Sequence, residues 1–84
     1  MKNFLNIYKK ESFTQEDHEL INSNIDEGSI DTFDIKENFM EYVYENIGNE
    51  YKNESIWEYT DEHYENGLTH IENYNKLIKH LESK

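Results

Sequence analysis

The chain has 84 residues, enough for one domain with a single modest core, and we expect one small acidic domain over residues 1–84. It contains no Cys, which excludes disulfides and thiolate metal sites, and no apolar run reaches the length of a membrane span. Nineteen acidic residues stand against eight lysines, for a net charge of −11. With no signal-peptide pattern at the start, these features predict a cytoplasmic protein that does not bind membranes.

The charge is distributed unevenly along the chain. Residues 11–75 hold eighteen acids against Lys36 and Lys52, for a charge of −16, whereas both ends are weakly basic. Because such a surface repels the phosphates of nucleic acid, we expect no direct nucleic-acid binding and instead a basic protein as partner.

Polar residues that typically open helices recur along the chain. Four pairs spaced three residues apart resemble a capping box or a close variant, in which two side chains satisfy free amides of the first turn. These pairs are Thr14 and Asp17, Asp34 and Glu37, Ser55 and Glu58, and Thr69 and Glu72. Three glycines stand where helices are expected to end: Gly28, Gly48 and Gly67.

Apolar residues recur at helical spacing between these signals. The positions that predict a short first helix are Phe4, Leu5 and Tyr8, and those of a second helix are Leu20, Ile21 and Ile25. The third helix has a stripe at every fourth residue, made of Ile35, Phe39, Val43 and Ile47. A weaker fourth face contains Ile56, Tyr59, Thr60 and His63, and a clear fifth face contains Leu68, Ile71, Tyr74, Ile78 and Leu81.

The predicted fold is therefore mostly α, a compact bundle of four or five short helices. One segment leaves an alternative open. Residues 29–35, with the sequence SIDTFDI, are compatible with a short strand, which would give a small α+β fold.

Glutamates recur every four residues in the third predicted helix. Glu37, Glu41 and Glu45, which we call the acidic ladder, would lie about 6 Å apart along the axis and away from the apolar stripe. Each adjacent like-charge pair costs about 0.2–0.5 kcal/mol in an isolated helix, and only Lys36 lies in this segment. Ordinary surfaces mix both signs of charge. The ladder therefore indicates a contact surface for a basic partner or, more simply, a solvated face that keeps the protein soluble.

The following segment continues the acidic pattern and adds aromatic residues. Its candidate partner-binding acids are Glu58, Asp61, Glu62 and Glu65. Trp57 and Tyr42 fall off the better apolar stripes, so we expect both to remain exposed and to anchor a partner, since Trp and Tyr are favoured at interfaces. For the other aromatic residues, packing in the core is the simpler expectation.

The sequence carries no catalytic or metal-binding motif. His63 and His70 would share a face only if one helix ran through Gly67. Residues 22–33 do not match a calcium loop, because Glu27 occupies the glycine position and Phe33 the position of the bidentate Glu. There is no Gly-rich phosphate loop and no Ser in a nucleophile-elbow context. We therefore predict no enzymatic activity, no catalytic residue, no specific metal site and no cofactor.

The charge pattern carries the functional prediction. A row of carboxylates can occupy a cleft that Lys and Arg line for phosphates, because Arg pairs with both groups in similar bidentate geometry. In size and charge, the chain resembles the small acidic DNA-mimic inhibitors that phages and mobile elements use against restriction and CRISPR nucleases. The resemblance implies an anti-CRISPR or anti-restriction protein whose partner is a nuclease or another basic nucleic-acid-binding enzyme. Two alternatives stay open: an antitoxin or immunity protein that neutralises a basic toxin, and a regulatory subunit of a larger assembly.

Overall fold

The architecture is helical, as the spacing of apolar residues predicts. A computed structural model describes residues 5–28, 30–47 and 50–83. A short 3₁₀ helix, Asn6–Lys9, precedes four α-helices, which are α1 (Gln15–Asp26), α2 (Thr32–Ile47), α3 (Asn53–His63) and α4 (His70–Glu82). The described residues contain no strand. In the segment with the alternative assignment, Thr32–Ile35 form the first turn of α2, and Ser29 lies outside the described residues.

Two of the four predicted capping boxes open helices. At the start of α1, the Thr14 hydroxyl accepts from the Asp17 amide and the Asp17 carboxylate accepts from the Thr14 amide, each at 3.2 Å. At the start of α4, Thr69 and Glu72 exchange the same pair of bonds at 3.1 and 2.9 Å. In both helices, the box satisfies amides that have no partner within the helix.

The other two predicted helix starts are wrong. Helix α2 begins before Asp34, because the Asp31 carboxylate already accepts a hydrogen bond from the Phe33 amide at 2.9 Å. Helix α3 begins before Ser55, at Asn53, and the side chain of the preceding residue, Lys52, makes no capping bond to the described residues. A polar pair at the right spacing thus misplaces a helix start when the chain becomes helical a turn earlier.

The three glycines that were expected at helix ends have different outcomes. Gly28 follows α1 with φ at +78°, a left-handed conformation that glycine adopts without the steric cost of a side chain. Gly67 lies in the loop between α3 and α4, because α3 already ends at His63. Gly48 is outside the described residues.

Two groups of buried side chains form the core. The larger group joins α2, α3 and α4 and contains Phe39, Met40, Val43, Ile56, Leu77 and Leu81. The smaller group contains Tyr8 of the 3₁₀ helix, Ile21 of α1 and Ile35 of α2. Tyr64, at the end of α3, packs against both groups and so connects them. The predicted stripe of α2 is confirmed, with Ile47 half-buried at its end.

Two expectations for the beginning of the chain need correction. The predicted first helix is a 3₁₀ helix with Tyr8 fully buried, and Phe4 lies outside the described residues. Leu20 was expected on the apolar face of α1, but 46% of its surface is exposed, and Ile21 is the buried residue of that helix. Helix α1 therefore covers the core with a narrower face than its sequence indicates.

The capping assignments predict losses of different size for two substitutions that do not change the charge. We expect Thr14→Ala to lower the free energy of unfolding by about 1 kcal/mol, since it leaves the Asp17 amide without its acceptor. Ser55→Ala should change it by less than about 0.5 kcal/mol, because Ser55 lies inside the first turn of α3. Urea unfolding followed by circular dichroism measures both. Equal losses would contradict the assignment, and Thr14→Ser should restore stability.

Candidate acidic interface

Helix α2 presents the acidic ladder to solvent. Glu37, Glu41 and Glu45 are all exposed, whereas Ile35, Phe39 and Val43 on the opposite side of the helix are buried. The packed face holds the helix in place, so the three carboxylates are fixed about one helical turn apart. None of the three forms an ion pair with the described residues. The arrangement is thus a row of uncompensated negative charges on a rigid support.

The acids in and after α3 are exposed too, but two of them are paired with lysine. The Lys36 ammonium lies 3.6 Å from the Asp61 carboxylate, which connects α2 to α3. Lys76 of α4 pairs with Glu65 and also donates to the His63 carbonyl at 3.2 Å. These lysines are distant from their partners in the sequence, so the ion pairs could not be predicted from neighbouring residues.

The loop before α4 has a defined shape because Asn73 binds it. The buried Asn73 amide accepts from the Glu65 backbone amide at 3.1 Å and donates to the Glu65 carbonyl at 3.0 Å. It donates as well to the carbonyls of Leu68 and Thr69. These bonds hold the backbone that carries Glu65, so this acid has a fixed position although it lies outside a helix. Sequence analysis gave no sign of this role for Asn73.

The two expected aromatic anchors are half-buried rather than free in solvent. Tyr42 packs edge-on against Tyr74 of α4, with ring centroids 5.6 Å apart, and burial raises the pKa of the Tyr42 phenol. Trp57 packs against the larger core group and stacks on Phe33, with ring centroids 6.2 Å apart. Each still exposes part of its ring, so the expectation of exposure holds only in part.

Phe33 is the exposed aromatic residue that sequence analysis missed. It is 55% exposed at the start of α2, next to Trp57. Two residues in a helix correspond to about 200° around the axis, so Phe33 must lie roughly opposite the buried Ile35 once α2 is known to begin at Thr32. Asp31 is the residue in the sequence that marks the start of α2, and the prediction placed this start at Asp34 instead.

A cleft of about 190 Å³ between α3 and α4 brings together histidine and glutamate side chains. Its lining contains Ser55, Glu58, Tyr59, Glu62, His63 and His80. The Tyr59 ring lies between the two imidazoles, 4.7 Å from His63 and 4.6 Å from His80 between centroids. In residues 5–28, 30–47 and 50–83, however, no three His, Asp or Glu side chains are arranged to hold a metal ion.

His70 is the most strongly perturbed histidine, and it lies in the core. Its Nε2 is 2.8 Å from the side-chain amide oxygen Oδ1 of Asn38, so Nε2 carries the proton, and the Tyr64 hydroxyl donates to Nδ1 at 2.9 Å. The ring also stacks on Tyr8, with centroids 5.4 Å apart. Burial, with a smaller contribution from the charge of Lys9, lowers the pKa of His70 to about 3. His70 is therefore neutral at physiological pH and unsuited to exchange protons with a substrate.

None of the helices in the described part of the chain is long and apolar enough to cross a membrane. Comparison with protein-family models, with curated proteins and with solved structures gives no match for this chain. The geometry and charge of its own residues are therefore the basis for the functional argument.

The buried neutral His70 predicts a loss of stability in mild acid. Its pKa in the folded protein lies below the value near 6.5 of an unfolded chain, so below pH 6.5 the unfolded state binds the extra proton. We expect this group to remove up to about 2 kcal/mol of stability between pH 7 and pH 5. Urea unfolding at both pH values measures the slope. His70→Gln should flatten it, and the exposed His63→Gln should not. Equal slopes in both variants would contradict the assignment.

The ladder predicts a substitution that stabilises the fold. Glu41→Lys places a cation one turn from both Glu37 and Glu45, so two repulsive pairs become attractive. We expect the free energy of unfolding to rise by about 0.5–1 kcal/mol at low salt, with a smaller gain at 1 M salt because of screening. Glu41→Gln should give about half the gain. No gain in either variant would mean that the ladder charges do not interact.

Proposed function

We propose that this chain is a non-enzymatic inhibitor that docks its acidic face on a basic nucleic-acid-handling enzyme and occupies the cleft that normally receives phosphates. The observation that supports the proposal most strongly is the exposed ladder of Glu37, Glu41 and Glu45 without ion pairs to the described residues. Glu58 and Glu62 of α3 are exposed as well and add to the negative charge of the surface. Asp61 and Glu65 contribute less net charge, because each is paired with a lysine.

The physical basis is the similarity between carboxylate and phosphate as ligands of arginine. Both accept two parallel hydrogen bonds from a guanidinium group, and both are bound by clefts with a positive potential. A helix that packs by one face holds the backbone of its glutamates at fixed spacing, so binding a row of cations orders only the side chains and not the backbone. A flexible acidic tail would have the same charge without this advantage.

The distribution of the lysines also supports a contact role for the ladder. Within the residues that the structure describes, Lys10, Lys36 and Lys76 pair with Asp17, Asp61 and Glu65, and no lysine pairs with the ladder. Each surface ion pair contributes only about 0–1 kcal/mol to the free energy of unfolding, so stability alone hardly determines where such pairs form. An unneutralised row is what a basic partner would require, because each existing ion pair would have to be broken or displaced on binding.

Electrostatic docking of this kind has a kinetic signature. The field of a −11 protein should steer a basic partner to fast association, and added salt should slow association steeply. A partner held mainly through apolar contacts would show little effect of salt on the rate.

The test is capture of partners from a bacterial lysate by the immobilised protein, eluted with a salt gradient and repeated with competing DNA. We expect a nucleic-acid enzyme that salt releases and DNA displaces, and whose activity the free protein inhibits. A captured toxin that ignores DNA would instead support an immunity function. A partner that neither salt nor DNA releases would contradict electrostatic docking altogether.

A charge-matched pair of variants locates the contact surface. Glu41→Lys with Glu45→Lys should weaken binding to the captured enzyme at least tenfold. The control, Glu19→Lys with Glu27→Lys, makes the same change in net charge at exposed positions in and just after α1. We expect the control to weaken binding by no more than about threefold. Similar losses in both variants would show that net charge, rather than the ladder, determines binding.

A further inference from the structure

An aromatic pair at the start of α2 stands out from the rest of the surface. Phe33 and Trp57 stack with ring centroids 6.2 Å apart and planes inclined by 14°. Trp57 is half-buried against the core, whereas Phe33 exposes 55% of its surface. A large apolar ring is therefore held in solvent by a neighbour that is itself fixed in the fold. We call these two residues the aromatic platform.

Carboxylates border the platform on both helices. Glu37, the first residue of the ladder, lies one turn after Phe33 in α2, and Asp61 lies one turn after Trp57 in α3. Glu54 lies one turn before Trp57 and is exposed. Lys36 is paired with Asp61 at 3.6 Å, so among the described residues Glu37 and Glu54 are the platform carboxylates without an ion pair. The platform is thus an apolar surface inside a negative field, continuous with the ladder.

This combination selects the chemistry of the occupant. A purely apolar side chain would cover the rings but would remove water from the neighbouring carboxylates without replacing their hydrogen bonds. A nucleic-acid base could stack, but its phosphates would be repelled, and a second copy of this chain would bring another charge of −11. A guanidinium group has flat faces that stack on aromatic rings and N–H groups at its edge that bind carboxylates.

We propose that the Phe33–Trp57 platform binds an arginine side chain of the basic partner, with the guanidinium plane stacked on the rings and its N–H groups directed to the bordering carboxylates. The inference rests on the proposed function in that the occupant belongs to a basic protein. It goes further because it separates arginine from lysine: the lysine ammonium has no planar face, so it gains less from a stacked ring. The ladder carboxylates already favour arginine through bidentate hydrogen bonds, and the platform would add a stacking contribution that depends on Phe33.

The experiment uses model peptides and the fluorescence of the protein. Trp57 is the single Trp of the chain, so its emission reports directly on the platform. We titrate the protein with hexa-arginine and with hexa-lysine at low salt. Hexa-arginine should bind about threefold to tenfold more tightly than hexa-lysine, from the stacking contribution of an exposed site. It should also change the Trp57 emission with a saturation curve that matches binding measured by calorimetry.

Variants separate stacking from apolar area and from general destabilisation. Phe33→Ala and Phe33→Leu should both reduce the preference for hexa-arginine over hexa-lysine by about threefold, because neither keeps the aromatic ring. Leu20→Ala is the matched control, since among the described residues Leu20 is the other large exposed apolar residue, and it lies on α1. It should leave both affinities unchanged. Far-ultraviolet circular dichroism checks that each variant is folded, which we expect because Phe33 is exposed.

Three results would overturn the inference: equal affinities for the two peptides, an arginine preference that Phe33→Ala leaves unchanged, or one that Phe33→Leu retains in full. None of these would affect the ladder, whose test is capture of a nucleic-acid enzyme and its loss in the ladder variant. Conversely, a Phe33-dependent arginine preference without any such enzyme would support the platform and contradict the proposed function.

Discussion

The interaction on which the rest of the structure depends is the burial of a neutral histidine among aromatic rings. His70 binds Asn38 of α2 through one ring nitrogen and Tyr64 through the other, and it stacks on Tyr8 of the 3₁₀ helix. One imidazole thus connects four segments of the chain and lies where the two core groups meet. Because both nitrogens are satisfied, the fold obtains a polar centre without burying a charge.

A neutral centre also determines where the charges can be. Tyrosine and histidine supply the polar groups of the core, and none of the nineteen acidic residues is buried. The eight lysines are too few to compensate these acids. The ion pairs of Asp61 and Glu65 connect neighbouring elements at positions where two segments meet. The ladder carboxylates on α2 are exposed and form no ion pair within the described part of the chain. Their exposure follows from the same packing that buries Ile35 and Phe39 on the other side of that helix.

The sequence predicted the helical class, the buried stripe of α2 and the exposure of the acidic side chains, because these follow from local periodicity. It failed at features that depend on contacts distant in the chain. The start of α2 was misplaced because two aspartates compete as caps, and that error hid the exposed position of Phe33. Asn73 and His70 could not be recognised, since their roles arise from a loop and from helices brought together only by folding. The lysine partners of Asp61 and Glu65 could not be predicted either, because folding brings them together from distant parts of the sequence.

A row of carboxylates alone cannot distinguish one basic protein from another, since long-range attraction depends on charge and hardly on its chemical form. Discrimination requires a short-range contact that some cations satisfy and others do not. The Phe33–Trp57 pair lies one turn before the first ladder residue, so a partner drawn to the ladder would meet it in the same encounter. If the ladder attracts the partner and the platform favours a planar cation, two weak elements together achieve a selectivity that neither has alone.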